Sequence, residues 1–420
     1  MKHAWVGCIL FGTLLFAGNQ DLDDNVNTRY RVETVVVAGD GLHANFTADH
    51  TPSEQKISSG LRKEISGLID QHLNPSRLEE VARRLRKEFR AQTVTHRILR
   101  GANPEYVQVV FDVKLRPTRF DVSVPKFLYD SKQGWSGGVE GTVTAKQNAF
   151  TFGLVSDGDE LAERYAGVVA RYENDHLGSD RVHMRFAFES YHDQWNGATL
   201  DALGEAEPGI YRTRQNFQPE VTFVLARPLT VSVGTSFERM QDQFPSAHTE
   251  AANAFTATVR YHERLEGAEN QQDFEGDYNL REATRLLSTD FVYSRHRWEF
   301  RYTLSRGKHV LLDDMTAGLI TGQAPLFEEF VLGNSNTLRG WNKFDLDPLG
   351  GNRMVANSVE YRYGAFQVFY DTGAIWDGGQ TPIARHSIGV GLRQGVFSLA
   401  VAFPVREGHT DPVFMVGMNY

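Results

Sequence analysis

Phe330-Val331-Leu332-Gly333, Leu338-Arg339-Gly340-Trp341, Gly350-Gly351-Asn352, Glu360 and Phe369-Tyr370-Asp371-Thr372-Gly373, with Trp376 behind them, are the most informative residues of this chain. The arginine–glycine pair falls in a long loop, and each acid falls near the middle of a predicted short strand. A guanidinium carries five fixed donors and no protonation switch, so one arginine can bridge two carboxylates. Alternate residues of a barrel strand face opposite sides. Glu360 is even, against the odd Val355, Val359 and Tyr361; Asp371 is odd with Phe369, against the even Val368 and Tyr370. Both acids are therefore expected on an inner face, with parity differing because each strand sets its own register. Gly340 lets the loop turn tightly and approach the wall.

Working outward, residues 117–420 show no helical period. Trp298-Glu299-Phe300-Arg301-Tyr302-Thr303-Leu304 alternates cleanly, and so do Phe397, Leu399, Val401 and Phe403. Segments of this kind recur between turn residues, at a density that fits a transmembrane antiparallel barrel of about 16 strands. The first of them lies somewhere between Arg119 and Ala145. The chain closes on Phe414, Val416, Met418 and Tyr420, one apolar face ending in an aromatic, as suits a strand that reaches the lipid–water boundary.

Residues 29–116 read differently. Tyr30–Val37 is a β-branched strand. A helix is expected over Ser53–Asp70, with Ile57, Leu61, Ile65, Leu68 and Ile69 inward. A second helix should start at Ser76 with Glu79 closing a capping box, and bury Leu78, Val81, Leu85 and Phe89. Its Arg83, Arg84, Arg86 and Lys87 read as a solvated face rather than a binding patch. Strands Thr93–Leu99 and Tyr106–Leu115 complete a β-α-α-β-β order.

Composition narrows the functions. Hydrophobic residues make up 41% of the 420 and the net charge is −9, which argues against nucleic acid as a partner. Mean hydropathy is −0.40, and beyond the N-terminus no apolar run approaches the roughly 20 residues of a spanning helix. Residues 1–18 are expected to be a signal peptide: Lys2, an apolar run from Ala4, small residues at Ala17 and Gly18. The only cysteine, Cys8, lies inside it. No HExxH or CxxC spacing predicts a metal or cofactor site. Gly234-Thr235-Ser236 and Gly333-Asn334-Ser335 lack the second glycine of a nucleophile elbow. His183, His192, His262, His296 and His309 come without a recognisable nucleophile, so no enzyme is expected.

Together these residues resemble the BamA/TamA superfamily of outer-membrane assembly and translocation barrels, also called the bacterial surface antigen family. The resemblance spans residues 29–420. It implies one POTRA (polypeptide-transport-associated) domain at 29–116, placed in the periplasm of a Gram-negative-type bacterium, and an outer-membrane barrel at 117–420. The loop at about 323–352 would fold into the lumen, with the tip Leu338, Arg339, Gly340, Trp341 docked on Glu360 and Asp371 and held by the strand motif of Phe369 and Gly373. The terminal Phe414, Val416, Met418 and Tyr420 resemble the family's barrel-recognition signal. Implied partners are outer-membrane lipids, unfolded β-barrel or secreted clients, and a periplasmic chaperone or lipoprotein on the POTRA. The implied function is insertion or translocation of other proteins by strand augmentation at the barrel seam. The alternative is a secretion pore or channel for a dedicated partner. One POTRA, where bacterial assembly factors have several, offers fewer surfaces for accessory proteins.

Overall fold

The computed structural model describes residues 29–39, 42–49, 52, 57–89, 91–115, 118–204, 210–242, 248–267, 270–406 and 411–418. The expected signal peptide, the boundary at Pro117 and the terminal Tyr420 lie outside them. Two compact units divide the chain, with the break near Lys114.

The first unit is a four-stranded sheet carrying two helices: β1 Arg31–Gly39, β2 Leu42–Phe46, α1 Ser59–Ser66, α2 Pro75–Glu88, β3 Ala91–Arg100 and β4 Tyr106–Leu115, in the sheet order β2-β1-β4-β3. Val35, Val37, Phe46, Leu61, Ile65, Leu85, Val109 and Phe111 form its buried core. Three expectations need correction. The short hairpin strand β2 extends the β-α-α-β-β order by one element. The first helix is shorter than Ser53–Asp70: Ser58 caps its start, and it stops at Gly67, whose N–H closes onto Lys63 O at 3.0 Å. The second helix begins at Pro75, not behind a Ser76 cap. Asn74 Oδ1 accepts from the backbone N–H of Ser76 and Arg77 at 3.0 and 3.3 Å, and a proline at the first helical position has no N–H to satisfy.

The second unit is a closed antiparallel barrel. Its strands are β5 Arg119–Asp130, β6 Gly134–Ala145, β7 Asn148–Asp157, β8 Arg164–Asn174, β9 Val182–Gln194, β10 Tyr211–Val224, β11 Leu229–Asp242, β12 His248–Ala251, β13 Ala254–Glu266, β14 Gln271–Ala283, β15 Val292–Arg306, β16 His309–Gln323, β17 Arg353–Tyr363, β18 Phe366–Trp376, β19 Arg385–Gln394, β20 Phe397–Val405 and β21 Val413–Met418. Segments β12 and β13 both pair with β11 and act as one interrupted strand, which gives a 16-strand wall. Turns such as Gly307-Lys308 and Gly364-Ala365 lie at one rim; the longer connections, among them 158–163 and 324–352, lie at the other. The short helices α3 Gly197–Leu203 and α4 Lys343–Leu346 sit in that long-loop set.

Alternation organises the wall as barrel geometry requires. Phe366, Val368 and Tyr370 are exposed on the outside, while Gln367, Phe369 and Asp371 are buried inside. On β17, Val355, Val359 and Tyr361 face out while Met354, Ala356 and Glu360 face in. The first barrel strand, Arg119–Asp130, breaks this rhythm. Its register against β6 shifts between Ser123 and Lys126, so Phe120 and Val122 face out before the bulge and Phe127 faces out after it.

Closure joins the last strand to the first. Met415 faces Asp130 and Met418 faces Phe127, and Ser131 N–H bonds Phe414 O at 2.9 Å; among the described residues the paired ladder is four residues long, against pairing along all of Arg306–Val292 between β15 and β16. Arg119–Ser123 pair with β6 and have no strand partner on the seam side among the described residues.

Candidate functional site: an in-folded loop with two charged anchors

The connection between β16 and β17 turns back among the walls. Phe327, Glu328, Phe330, Leu332, Leu338, Trp341 and Lys343 are all buried. Phe330, Leu332, Leu338 and Trp341 form one cluster with Tyr293, Met354 and Ala356 of the barrel. Two glycines make room for it. A Cβ on Gly318 would lie 2.3 Å from the Phe330 ring, and one on Gly373 would lie 2.8 Å from Leu332.

Arg339 meets both sequence-predicted acids. Its Nε donates to Asp371 Oδ2 at 2.8 Å and its Nη2 to Asp371 Oδ1 at 2.7 Å, a two-point grip. Nη1 reaches Glu360 Oε2 at 3.2 Å and Nη2 also reaches Ser358 Oγ at 2.8 Å. The Arg339 backbone N–H adds a bond to Asp371 Oδ2 at 3.1 Å, so loop backbone and side chain converge on one carboxylate. Asp371 is fully buried and accepts also from Ser358 Oγ at 2.7 Å. Glu360 has a second cation, Arg362. The inner faces of two adjacent strands bring these groups together, because Ser358 is the direct cross-strand partner of Asp371 and Glu360 that of Phe369.

Phe369 forms the floor: its ring centroid lies 3.4 Å from the Arg339 guanidinium carbon. The ring occupies space that Gly389 leaves on the next strand, where a Cβ would lie 2.0 Å from it. Gly389→Ala is therefore expected to push Phe369 off the guanidinium and destabilise the barrel by about 1–3 kcal/mol, with Phe369→Leu restoring most of the loss. Urea midpoints in detergent check this, and an unchanged midpoint for Gly389→Ala would refute it. Gly340 has φ +90° and packs against Ala402 and Pro404 of β20. Trp341 Nε1 donates to His386 O at 2.9 Å. Gly350 and Gly351 close the loop's base, where Gly351 and Phe330 exchange backbone bonds at 3.0 and 3.1 Å. At the terminus Phe414 and Val416 are exposed on the outer face, and Met418 pairs with Phe127.

Three strands back round the wall, on β14 and β15, the loop has a second anchor that no sequence motif announces. Glu328 of the loop is ion-paired with Arg281 at 2.8 Å and Arg295 at 3.4 Å, and accepts from Tyr293 Oη at 3.3 Å. Arg281 is shared with Glu238 at 2.7 Å. Polarity is reversed between the two anchors: a loop cation sits on acidic strands, a loop anion on basic ones. The available signal is the pair Glu328-Glu329 and inward arginines on β14 and β15; alternation alone does not say which inward residues a loop will meet.

The neighbouring carboxyls Glu328 and Glu329 titrate in opposite directions. Burial raises Glu328, but Arg281, Arg295 and Arg214 outweigh it and hold the carboxyl below its ordinary range. Burial and the nearby Asp377 push Glu329 up to about 7. A carboxyl raised in the docked state binds more protons there than when released, so its contribution weakens as pH rises from the ordinary carboxylate range through 7. Glu329→Gln should therefore remove a loss of barrel stability between pH 5 and pH 8; an identical pH profile in the variant and the parent would rule this out.

One further group has the make-up of a metal site. His262, Asp273 and Glu275 come within mutual reach on the inner face of β13 and β14. Asp273 already accepts from His262 at 2.8 Å and from Arg264 at 2.8 Å, and Arg301 lies 4.0 Å from Glu275. Asp273 is thus already engaged by His262 and Arg264 on the oxygens a metal would use.

The whole architecture has counterparts of known structure. BamA from Haemophilus ducreyi lacking POTRA domains 1–3 matches at TM-score 0.65 and 15% identity, covering 93% of this chain and 84% of that one. CdiB from Acinetobacter baumannii matches at TM-score 0.56 and 14% identity, covering 93% and 74%, and CdiB from Escherichia coli at TM-score 0.50 and 13% identity, covering 93% and 76%. At such identities these likenesses speak for the fold. No characterised protein matches at the level of sequence. The family model of the Omp85 superfamily domain matches residues 132–417, well over half of the chain, and the protein belongs to that superfamily of non-enzymatic outer-membrane assembly and translocation barrels.

Proposed function

We propose that this protein inserts β-barrel or secreted clients into or across the outer membrane by lending them a strand edge at the seam between β21 and β5. The observation that carries this reading is that, among the described residues, Met415–Met418 pair with Phe127–Asp130 over four residues, beside the seam-side edge of Arg119–Ser123. Unpaired N–H and C=O groups on an edge strand template an incoming strand, with main-chain bonds for affinity and alternating side chains for selection. The outward Phe120 and Val122 on that edge suit a client strand whose own apolar face meets lipid. The POTRA-like N-terminal domain would face the periplasm, where unfolded clients, a chaperone or a lipoprotein could be met. Arg339, Glu360 and Asp371 would keep the loop seated while the seam works, and Phe414, Val416, Met418 and Tyr420 would direct the chain's own assembly.

Reconstitution in liposomes tests the proposal. Urea-unfolded barrel clients are offered with and without their C-terminal aromatic, beside an Arg339→Ala variant and protein-free vesicles. Insertion that exceeds empty vesicles and depends on both the aromatic and Arg339 supports an insertase. Insertion no faster than in empty vesicles, with steady ion conductance, would move the reading to a secretion pore.

A further inference from the structure

Such a short seam leaves open what holds the barrel shut. The in-folded loop touches both sides of it. On the C-terminal side Arg339 grips Asp371 of β18, Trp341 bonds His386 of β19, and Gly340 packs on Ala402 and Pro404 of β20, one strand from the end. Three residues before Arg339, Asn336 Nδ2 donates to Asp159 Oδ2 at 2.6 Å, and Asn334 Nδ2 to Asp159 O at 3.0 Å. Asp159 belongs to the connection from β7 to β8 and is paired with Lys126 of β5 itself. Gln133, in the turn after β5, donates to Gly333 O at 3.1 Å.

A buried cation completes this second grip. Lys343 is 1% exposed, and its ammonium donates to the carbonyls of Gly158 at 2.5 Å, Ala162 at 2.7 Å, and Glu160. Three donors meet three backbone acceptors, so the loop 158–163 is wrapped round one point of the in-folded loop. The segment 333–343 thus bridges the seam from inside: its two ends, 333–336 and Lys343, are fastened to the β5–β8 side and its middle, 339–341, to β18–β20.

We propose that this segment is an inner strap across the β21–β5 seam, and that Asp159, Asn336 and Lys343 are positioning residues that set whether the seam opens. The inference deepens the strand-lending reading and rests on it: opening for a client requires the β5 side to leave its grip on the loop, while the Arg339 side stays seated.

Spin labels at Tyr129→Cys and Val416→Cys, in a Cys8→Ser background, report the seam directly, since these residues face each other across it. In proteoliposomes the parent should show one short distance. Asn336→Ala, at an exposed side chain, and Lys343→Met should each add a longer-distance population. Arg264→Gln, a lumen charge paired with Asp273 away from the loop, should not. Each variant is first shown to keep the heat-modifiable gel mobility of a folded barrel; should Lys343→Met lose it, Asn336→Ala decides. An unchanged distance distribution in folded Asn336→Ala overturns the strap. The readout needs no client, so a widened seam with unaltered client insertion would sink the insertase reading and leave the strap standing.

Discussion

Replacing Arg339 by alanine is expected to lower the unfolding free energy of the barrel by about 3–5 kcal/mol, the usual consequence of leaving a buried charge without its partner. The two acids should not suffer equally. Glu360 keeps Arg362 when Arg339 is gone, whereas Asp371, fully buried, keeps only the Ser358 hydroxyl and the residue-339 backbone N–H, neither of them charged. Asp371→Asn should thus rescue much of the loss in the Arg339→Ala background, and Glu360→Gln should rescue little. Arg339→Lys should recover only part, because one ammonium cannot hold both oxygens of Asp371 while also reaching Glu360 and Ser358. Urea titration in detergent, followed by tryptophan fluorescence, measures all four. A loss in Arg339→Ala within about 0.5 kcal/mol of zero, as for an ordinary surface change, would show that the guanidinium is wetted and not buried.

The second large effect is expected at Glu328. Its removal leaves Arg281 with Glu238 but takes from Arg295 its carboxylate partner. Arg295 then keeps the residue-328 backbone carbonyl at 2.9 Å and the Phe330 ring at 4.6 Å. Glu328→Ala should therefore also fall in the range of about 3–5 kcal/mol, toward its lower end. Glu328→Gln should recover the Tyr293 bond without the charge. Phe330, Leu332 and Leu338 between the two anchors, and Trp341 just beyond them, stay packed on the wall whichever end is cut. The losses in the Glu328→Ala/Arg339→Ala double variant should accordingly add to within about 0.5 kcal/mol. A double variant no weaker than either single one would show instead that the loop leaves the lumen as one body.

Burial in this lumen comes as opposite charges at two anchor points, β14–β15 and β17–β18. That arrangement seats the loop in one orientation: a flipped loop would place Glu328 against Asp371 and Arg339 against Arg281. Specificity of seating, rather than net stability, is the better reason for so many buried charges, since apolar residues of the same shape would be comparably stable.

How much of this is legible in the chain differs from element to element. Alternation on β17 and β18 alone puts Glu360 and Asp371 on the inner face, because side-chain period in a strand is a local property of two residues. The motif from Leu338 to Trp341 marks the docked tip for the same reason: its residues are contiguous. The start of the barrel is not legible, since the bulge between Ser123 and Lys126 reverses the face of β5 midway and spoils the period. The start of α2 is ambiguous in sequence because Asn74 and Ser76 both carry acceptors, and only the backbone path shows which one reaches the free N–H groups.

The chain by itself therefore determined a barrel, its inward acids and the arginine that meets them, all consequences of local period and contiguous motif. Only the tertiary structure decided that Glu328 faces Arg281, that Lys343 is caged by the carbonyls of 158–162, and that 333–343 crosses the seam. Those pairings join residues some 50 to 185 positions apart, and they exist because closing the barrel sets every strand's neighbour and height at once, which no local segment encodes.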